Sequence, residues 1–325
     1  MEERSTEAVA QTAGLDVGDR WVHVCVLDQV SGAVLERSRV RTTAPALERR
    51  FSGERMRVAL EVGPQSPWIS RRLAALGHEV LVANARQVAL VYASRRKGDQ
   101  VDAESLARLA RLDPRLLRAV EHRSEQAQAD RALLKARDLL VRSRSALILH
   151  VRGTVKAFGT PLPRCSSESF AGRCQDLLPD ALRPALEPVL EEIVSLNTSI
   201  RLYDRRLDEL ARQRYPETEL LCQVDGVGRL TSLAFVLQIE DPRRFRKSRT
   251  VGAYLGLVPR RDQSGASDPQ LRIHKQGDAF VRRLLIQCAR YILGPFGKDS
   301  ELRRFGLRIA ERGGKNAKKR AVVAV

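Results

Sequence analysis

Cysteine is scarce and its spacing carries no pattern. Cys25, Cys165, Cys174, Cys222 and Cys288 make five, an odd number, and no two stand in a Cys-x-x-Cys pair. This argues against a zinc ribbon or a disulfide framework and fits a reducing compartment. No apolar run approaches the length of a membrane span. Met1 to Ala13 is acidic and polar, without the basic-then-apolar order of a signal peptide. A cytoplasmic protein with no membrane partner is therefore expected. Acidic residues are also in short supply, with 39 Asp and Glu against 57 Lys and Arg, a formal charge of +18. Such an excess repels itself in a folded chain and makes sense where a polyanion neutralises it, nucleic acid being the first candidate. The plainer alternative is an Arg-rich composition inherited from a GC-rich genome. Hydrophobic residues make up 43% of the 325, enough for a real core and against wholesale disorder, with room for two or three domains.

The first block alternates with period two. Trp21 to Leu27 reads as a strand with its valines on one side. Gly14-Leu15-Asp16-Val17 reads as the end of a preceding strand, Gly18-Asp19-Arg20 as a tight turn, and Ser31-Gly32 as a turn into Ala33–Val40. Next come a short β-like run, Met56–Glu61, and a helix, Pro64–Leu76, with Pro67 early and Gly77 as its stop. A strand at Glu79–Ala83, a helix at Ala85–Tyr92 and a helix at Asp102–Leu112 follow. A three-strand meander followed by β-α-β-α units predicts a mixed α/β sheet, in the order of the RNase H-like fold.

From 124 to 215 the pattern is helical. Leu133, Leu140 and Leu147 recur by sevens, and Leu186, Val189, Ile193, Leu196, Ile200, Tyr203, Leu207 and Leu210 alternate steps of three and four. Between them lies a Gly-, Pro- and Ser-rich break, Gly153 to Pro184. Two long helices are expected, either as a coiled-coil arm or dimer seam or as a bundle packed within one chain. A mostly helical block fills 216–325. Three regions result: 1–123 α/β, 124–215 helical arm, 216–325 helical C-terminal domain.

Asp16 ends the first strand and Glu61 ends the strand after the meander, neighbours in an RNase H-like sheet. Asp99 and Asp102 are three apart and share a helix face. Four converging acids repel one another unless they hold cations, and oxygen-only ligands select Mg²⁺ or Mn²⁺. Taken singly, the acids read equally well as a helix cap and surface residues. In the C-terminal block, Gly226-Val227-Gly228-Arg229 would let a backbone approach phosphate at a helix N-terminus, as in a helix-hairpin-helix. A plain helix–turn–helix is the alternative. Arg260 and Arg261 then lead into the glycine loop of Ser264 and Gly265, and a loop expected to be flexible follows with Arg272, His274 and Lys275, before a helix at Phe280–Leu293 with Arg282 and Arg283 in its first turns. A serine among cations can approach a phosphodiester, although Ser-Gly is a common loop dipeptide. Lys315, Lys318 and Lys319 form a basic segment suited to phosphate or to solvent. The chain stops inside the apolar run Ala321–Val325, so its last helix is expected to be incomplete.

These blocks resemble the insertion-sequence transposases of family one-ten, most closely the one-eleven-eleven subgroup. The resemblance rests on Gly14-Leu15-Asp16-Val17, Leu60-Glu61, Gly77-His78-Glu79-Val80 running to Asn84-Ala85-Arg86-Gln87-Val88, and Lys97-Gly98-Asp99 with Asp102-Ala103-Glu104. It continues through Gly226-Val227-Gly228, Ile239-Glu240-Asp241-Pro242, Gly256-Leu257-Val258-Pro259, Gln263-Ser264-Gly265 and Lys275-Gln276-Gly277-Asp278. It implies a RuvC-like domain with Asp16, Glu61, Asp99 and Asp102 as its DEDD acids, and a transposase domain with Ser264 as a nucleophile that becomes linked to a DNA end. It implies dimers or tetramers in which the acids of one protomer meet the serine of another, and a structured non-coding guide RNA, called bridge or seeker RNA, that pairs with donor and target DNA. The chain departs from the family pattern at Val62-Gly63-Pro64 and at Ala266, and family chains run on past the lysine-rich segment. A RuvC-like Holliday-junction nuclease and an inactive nucleic-acid-binding remnant of a transposase are the alternatives.

Overall fold

A computed structural model describes residues 9–84, 98–269, 271–314 and 316–325. The described chain divides into two compact units, one up to Arg123 and one from Ser124 to Val325.

The first unit is built on a five-stranded sheet of order β3-β2-β1-β4-β5. Its strands are β1 (Gln11–Val17), β2 (Trp21–Asp28), β3 (Val34–Arg41), β4 (Arg57–Glu61) and β5 (Glu79–Ala83). The meander is antiparallel, while β4 runs parallel to β1 and β5 parallel to β4. Period-two alternation sends Val22, Val24 and Val26 to one face, where they pack with Leu15, Leu60, Leu47, Phe51, Ile69 and Leu73. The last four belong to α1 (Ala44–Phe51) and α2 (Ser66–Ala75). The other face, with Cys25, Leu27 and Ala59, is covered by Ala103, Leu106, Ala107 and Ala110 of α3 (Asp99–Leu112). Both faces of the inner strands are therefore buried, while β3 at the edge buries no residue fully, which fits a sheet with helices on two sides. Buried His78 ties two loops together. Met56 N–H donates to its Nδ1 (3.2 Å), so Nε2 carries the proton and donates to the Phe51 carbonyl (2.7 Å).

One helix start and one whole helix differ from the sequence reading, beyond shifts of one or two residues at other ends. The third helix starts at Asp99 rather than Asp102, because the Gly98 carbonyl already accepts from the N–H groups of Val101 and Asp102. Helix α1, eight residues long, was not anticipated: its large apolar side chains are Leu47 and Phe51 alone, too few to set a helical period. The helix expected at Ala85–Tyr92 lies outside the described residues.

In the second unit, α4 (Glu125–Ala157) and α6 (Arg183–Arg214) pack antiparallel within the chain. Ile148, Val151 and Val155 meet Leu186, Leu190 and Ile193 at one end, joined by Phe170 and Cys174 from the short α5 (Phe170–Cys174). Ala127 and Leu134 meet Leu207, Leu210 and Ala211 at the other. Midway, buried Arg144 donates to Asn197 Oδ1 (2.7 Å) and pairs with Glu168 (2.9 Å). Six of the eight expected seam positions of α6 are buried, with Val189 and Tyr203 partly so. On α4 the buried row is Leu134, Ile148, Val151 and Val155 rather than the leucines spaced by sevens. The expected break also begins later. Gly153 lies inside α4, which continues to Ala157, and Pro184 sits in the first turn of α6, where its missing N–H costs nothing.

The remaining elements are α7 (Thr218–Cys222), α8 (Arg229–Ile239), α9 (Arg249–Tyr254), α10 (Ala279–Leu293), α11 (Glu301–Glu311) and α12 (Ala317–Ala324). Buried on nearly all sides, α8 packs with Phe280, Val281 and Leu284 of α10 and with the Leu207–Ala211 end of α6. No helix among the described residues is long and apolar enough to cross a membrane.

Candidate active site and nucleic-acid interface

The register of β1 with β4 aligns Leu15 with Leu60. Asp16 and Glu61 therefore sit side by side at the carboxyl ends of two parallel strands. Asp99 and Asp102 occupy the first turn of α3. Gly14 is what lets that turn reach them. A Cβ on Gly14 would fall 2.0 Å from the Ala103 carbonyl oxygen and 2.4 Å from the Ala107 nitrogen. The helix thus lies directly on the β1 backbone, two residues from Asp16. Gln100 reinforces the seat, its Nε2 donating to the Val24 carbonyl of β2 (3.1 Å).

His23 also enters the cluster. It is the cross-strand partner of Asp16, and its Nδ1 lies 3.3 Å from Asp99 Oδ2. One donor atom from each of Asp16, His23 and Asp99 lies within 4.8 Å of the others. Sequence reasoning missed His23, yet its signal was present. The tight turn at residues 18–20 fixes the pairing Val17 with Val22 and hence Asp16 with His23.

Burial raises the Asp16 pKa most, and Asp99, Asp102 and Glu61 push it further the same way, His23 opposing them. Glu61 is open to solvent at its tip, but its pKa is likewise raised by the protein around it and by Asp102. The four sequence-selected acids thus repel one another, while the side-chain atoms that gather within 4.8 Å are those of Asp16, Asp99 and His23, without Glu61 or Asp102. Hard oxygen donors suit a divalent cation, and His23 adds a nitrogen that Mn²⁺ accepts more readily than Mg²⁺.

The serine lies at the tip of a paired hairpin, not in a free loop. Its stems are joined by Arg260 N–H to Arg272 O (2.9 Å), His274 N–H to Val258 O (3.1 Å) and Lys275 N–H to Gly256 O (3.2 Å). At the tip Ser264 and Ser267 exchange backbone hydrogen bonds, with Gly265 at φ +56°. The hairpin closes where two backbones cross. A Cβ on Gly256 would lie 2.0 Å from Gln276 O, and one on Gly277 2.1 Å from Tyr254 O. Arg282 Nη1 donates to Leu255 O and Gln276 O, holding both stems. Asp278 caps α10 by accepting from Val281 N–H (2.8 Å) and pairs with Arg131 and Lys135 of α4. Burial pushes its pKa up, but that hydrogen bond and the two cations outweigh it, so the net shift is downward.

Ser264, Arg260, Arg261, Arg272 and Lys275 are exposed and His274 is half-buried, its Nδ1 accepting from Gln276 N–H (3.0 Å). Arg261 donates to Gln263 (2.7 Å). Gly226, at φ +86°, turns the chain against Tyr291, and Gly228 precedes α8. Arg229 is held by Glu219 (3.2 Å) and Asp208 (3.7 Å), so its charge is satisfied within the protein. Lys318 and Lys319 are exposed on α12, and Lys315 lies outside the described residues.

Two family models match in chain order. A DEDD transposase model of the IS110 type covers residues 13–159, and a model described as transposase of the IS116/IS110/IS902 family covers 218–302. The transposase for insertion sequence element IS1111A of Coxiella burnetii is 32% identical over 242 residues, spanning 72% of this chain and 65% of that protein. The transposase for insertion sequence element IS1328 of Yersinia enterocolitica is 28% identical over 243 residues, 72% of this chain and 70% of that one. A pilin gene-inverting protein of Moraxella bovis is 30% identical over 112 residues, about a third of each chain (33% and 32%). With its carboxylate sheet inside the first matched region and its serine hairpin inside the second, the chain carries the transposase domains of the IS110/IS116/IS902 family, and its match spans just under two thirds (65%) of the IS1111A transposase.

Proposed function

We propose that this chain catalyses RNA-guided DNA strand exchange for an insertion sequence, with Asp16, Glu61, Asp99 and Asp102 holding Mg²⁺ or Mn²⁺ and Ser264 as nucleophile. The observation that carries the reading is the meeting of Asp16, Asp99 and His23 within 4.8 Å, with Asp102 on the same helix turn and Glu61 at the end of the neighbouring strand, and with the pKa of both Asp16 and Glu61 raised. A group that repels itself in this way gains most from a bound cation. The sheet order, an antiparallel meander extended by two parallel strands, supports a RuvC-like, RNase H-like domain. The glycine turn ahead of α8 supports a helix-hairpin-helix that grips phosphate without reading sequence. A charge of +18 with no evident sequence-reading module supports delegation of base reading to a guide RNA.

When bound, the cation neutralises phosphate charge and polarises a phosphoryl oxygen. The protein's own groups do the rest. His23 and Gln100 fix the first turn of α3 over β1 and β2. Ser264 Oγ attacks phosphorus, forming the Oγ–P bond as a P–O bond of the DNA breaks. The hydroxyl proton leaves the serine, and the departing DNA oxygen gains one. Arg260, Arg272 and Lys275 stabilise the charge that develops on the phosphate. The serine–DNA diester keeps the bond energy needed to rejoin strands, as hydrolysis does not. The Moraxella relative is named for inverting a gene, and an inversion requires cut ends to be rejoined. This favours strand exchange over a junction nuclease.

The test is to purify the protein, digest unprotected nucleic acid with RNase, and sequence the RNA that remains. A single structured RNA encoded beside this gene is the expected result and supplies the substrate for Ser264→Ala. Absence of enriched RNA overturns guidance, and strand transfer by Ser264→Ala at the normal rate overturns the serine.

A further inference from the structure

The sheet face that carries Asp16 continues onto β2 and β3. Asp16, His23 and Arg39 are neighbours across three adjacent strands, and two residues further along Trp21 pairs with Arg41. Alternation places Asp16, His23, Trp21, Arg37, Arg39 and Arg41 on one face of the sheet. Arg37 is neutralised by Glu104 of α3 (2.8 Å). Arg39 and Arg41 are exposed and have no carboxylate partner among the described residues. Their guanidinium carbons lie 4.7 and 4.4 Å from the centre of the Trp21 ring. Stacking on an aromatic face holds a guanidinium flat and turns its N–H fork outward, the geometry for a phosphate oxygen pair. Two cations over one ring also repel each other, and an anion between their forks removes that repulsion.

We infer that Arg39 and Arg41, held over Trp21, form a seat for the backbone phosphates of the DNA strand presented to the carboxylate cluster. The inference rests on reading that cluster as a DNA-processing site. The seat lies level with the acids and beyond them, so a strand engaged there has its next phosphates directed toward Asp16. Both arginines act as positioning residues. They read no bases, which is consistent with recognition through RNA pairing.

Trp21 and Trp68 are the two tryptophans of the chain, so the full-length Trp68→Phe protein reports on the seat by fluorescence. A short mixed-sequence single-stranded DNA is titrated into it in the presence of EDTA at several salt concentrations. Under the proposal, DNA quenches Trp21 emission, and Ser264→Ala in this background quenches equally. The Arg39→Ala/Arg41→Ala pair weakens binding at least about fivefold and flattens the log affinity against log salt slope by about 1.4, at ~0.7 per lost phosphate contact. The Arg39→Lys/Arg41→Lys pair keeps the slope but loses affinity, because the charge stays and the fork does not. Unaltered Trp21 emission, or a slope and affinity equal to the parent's in a folded Ala pair, overturns the seat. Quenching by RNA of the same sequence but not by DNA overturns the DNA assignment. A seat that behaves as described in a protein without strand transfer overturns the function proposed above and leaves the seat standing. Normal strand transfer kinetics in the Ala pair overturn the seat alone.

Discussion

Asp16 is held in a place that suits a cation better than it suits a lone carboxylate. Its raised pKa means that the folded chain binds a proton more readily than the unfolded one does, so ionising Asp16 at neutral pH lowers stability. Asp16→Asn should therefore raise the melting temperature of metal-free protein at pH 7. The gain should shrink as pH falls through the raised folded pKa, and vanish below the unfolded carboxylate range near ~4. A thermal melt in EDTA across pH checks this. Asp278 has the opposite sign. Its lowered pKa contributes stability above the unfolded value that is lost as pH falls through the folded one. Asp278→Asn should destabilise the protein at pH 7, by an amount that declines once the pH drops below ~4, as measured by urea midpoints. Asp16, Glu61, Asp99, Asp102 and Ser264 were all legible as candidates from residue type and order. His23 was not selected, because a lone histidine in a strand has no signature until its cross-strand partner is considered.

At the scale of elements, α3 and β1 depend on a missing side chain. Gly14→Ala places a methyl 2.0 Å from the Ala103 carbonyl, which forces the helix outward. The expected cost is on the order of 3 kcal/mol, seen in urea unfolding. Loss of strand transfer should accompany it even where the variant stays folded, because Asp99 and Asp102 move with the helix. The strands were legible because period-two alternation survives burial on both faces. The seam of α6 was legible because its apolar residues keep steps of three and four. That of α4 was displaced by one position from the leucines spaced by sevens. Leu134 and Ile148, next to two of them, turn inward against α6 and the elements packed on it, and only the partner's surface decides between adjacent rows. The segment after Ser267 was read as a flexible loop, and the pairing of the Ser264 hairpin was missed, because its stems, Gly256–Arg260 and Arg272–Lys275, lack an alternating pattern. Their pairing is stabilised by backbone crossing at Gly256 and Gly277, which composition does not reveal.

For the whole molecule, two expectations follow from the family reading. A charge of +18 should make nucleic-acid affinity fall steeply with salt, about 0.7 to 0.9 log units per log unit of salt for each phosphate engaged. Filter binding between low and physiological salt measures it. If the acids of one protomer act with the serine of another, as the family resemblance implies, then Asp16→Asn and Ser264→Ala proteins should each fail alone. Mixed, they should recover strand transfer, since some assemblies then pair an intact acid site with an intact serine. Failure of the mixture beside an active wild type would place both groups in one protomer.

The sequence by itself determined the nucleic-acid character, the mixed sheet with a helical remainder, and which acids and which serine to consider. Those follow from net charge, periodicity and residue order, all local or summed properties of the chain. Only the tertiary structure decided that α3 rests on the β1 backbone at Gly14, that His23 joins Asp99, that Arg229 is spent on Asp208 and Glu219, and that Arg39 and Arg41 stack on Trp21 without a carboxylate among the described residues. Each of these is a pairing between elements distant in the chain or set by strand register. Its energy depends on separations of a few ångströms that no one-dimensional pattern encodes.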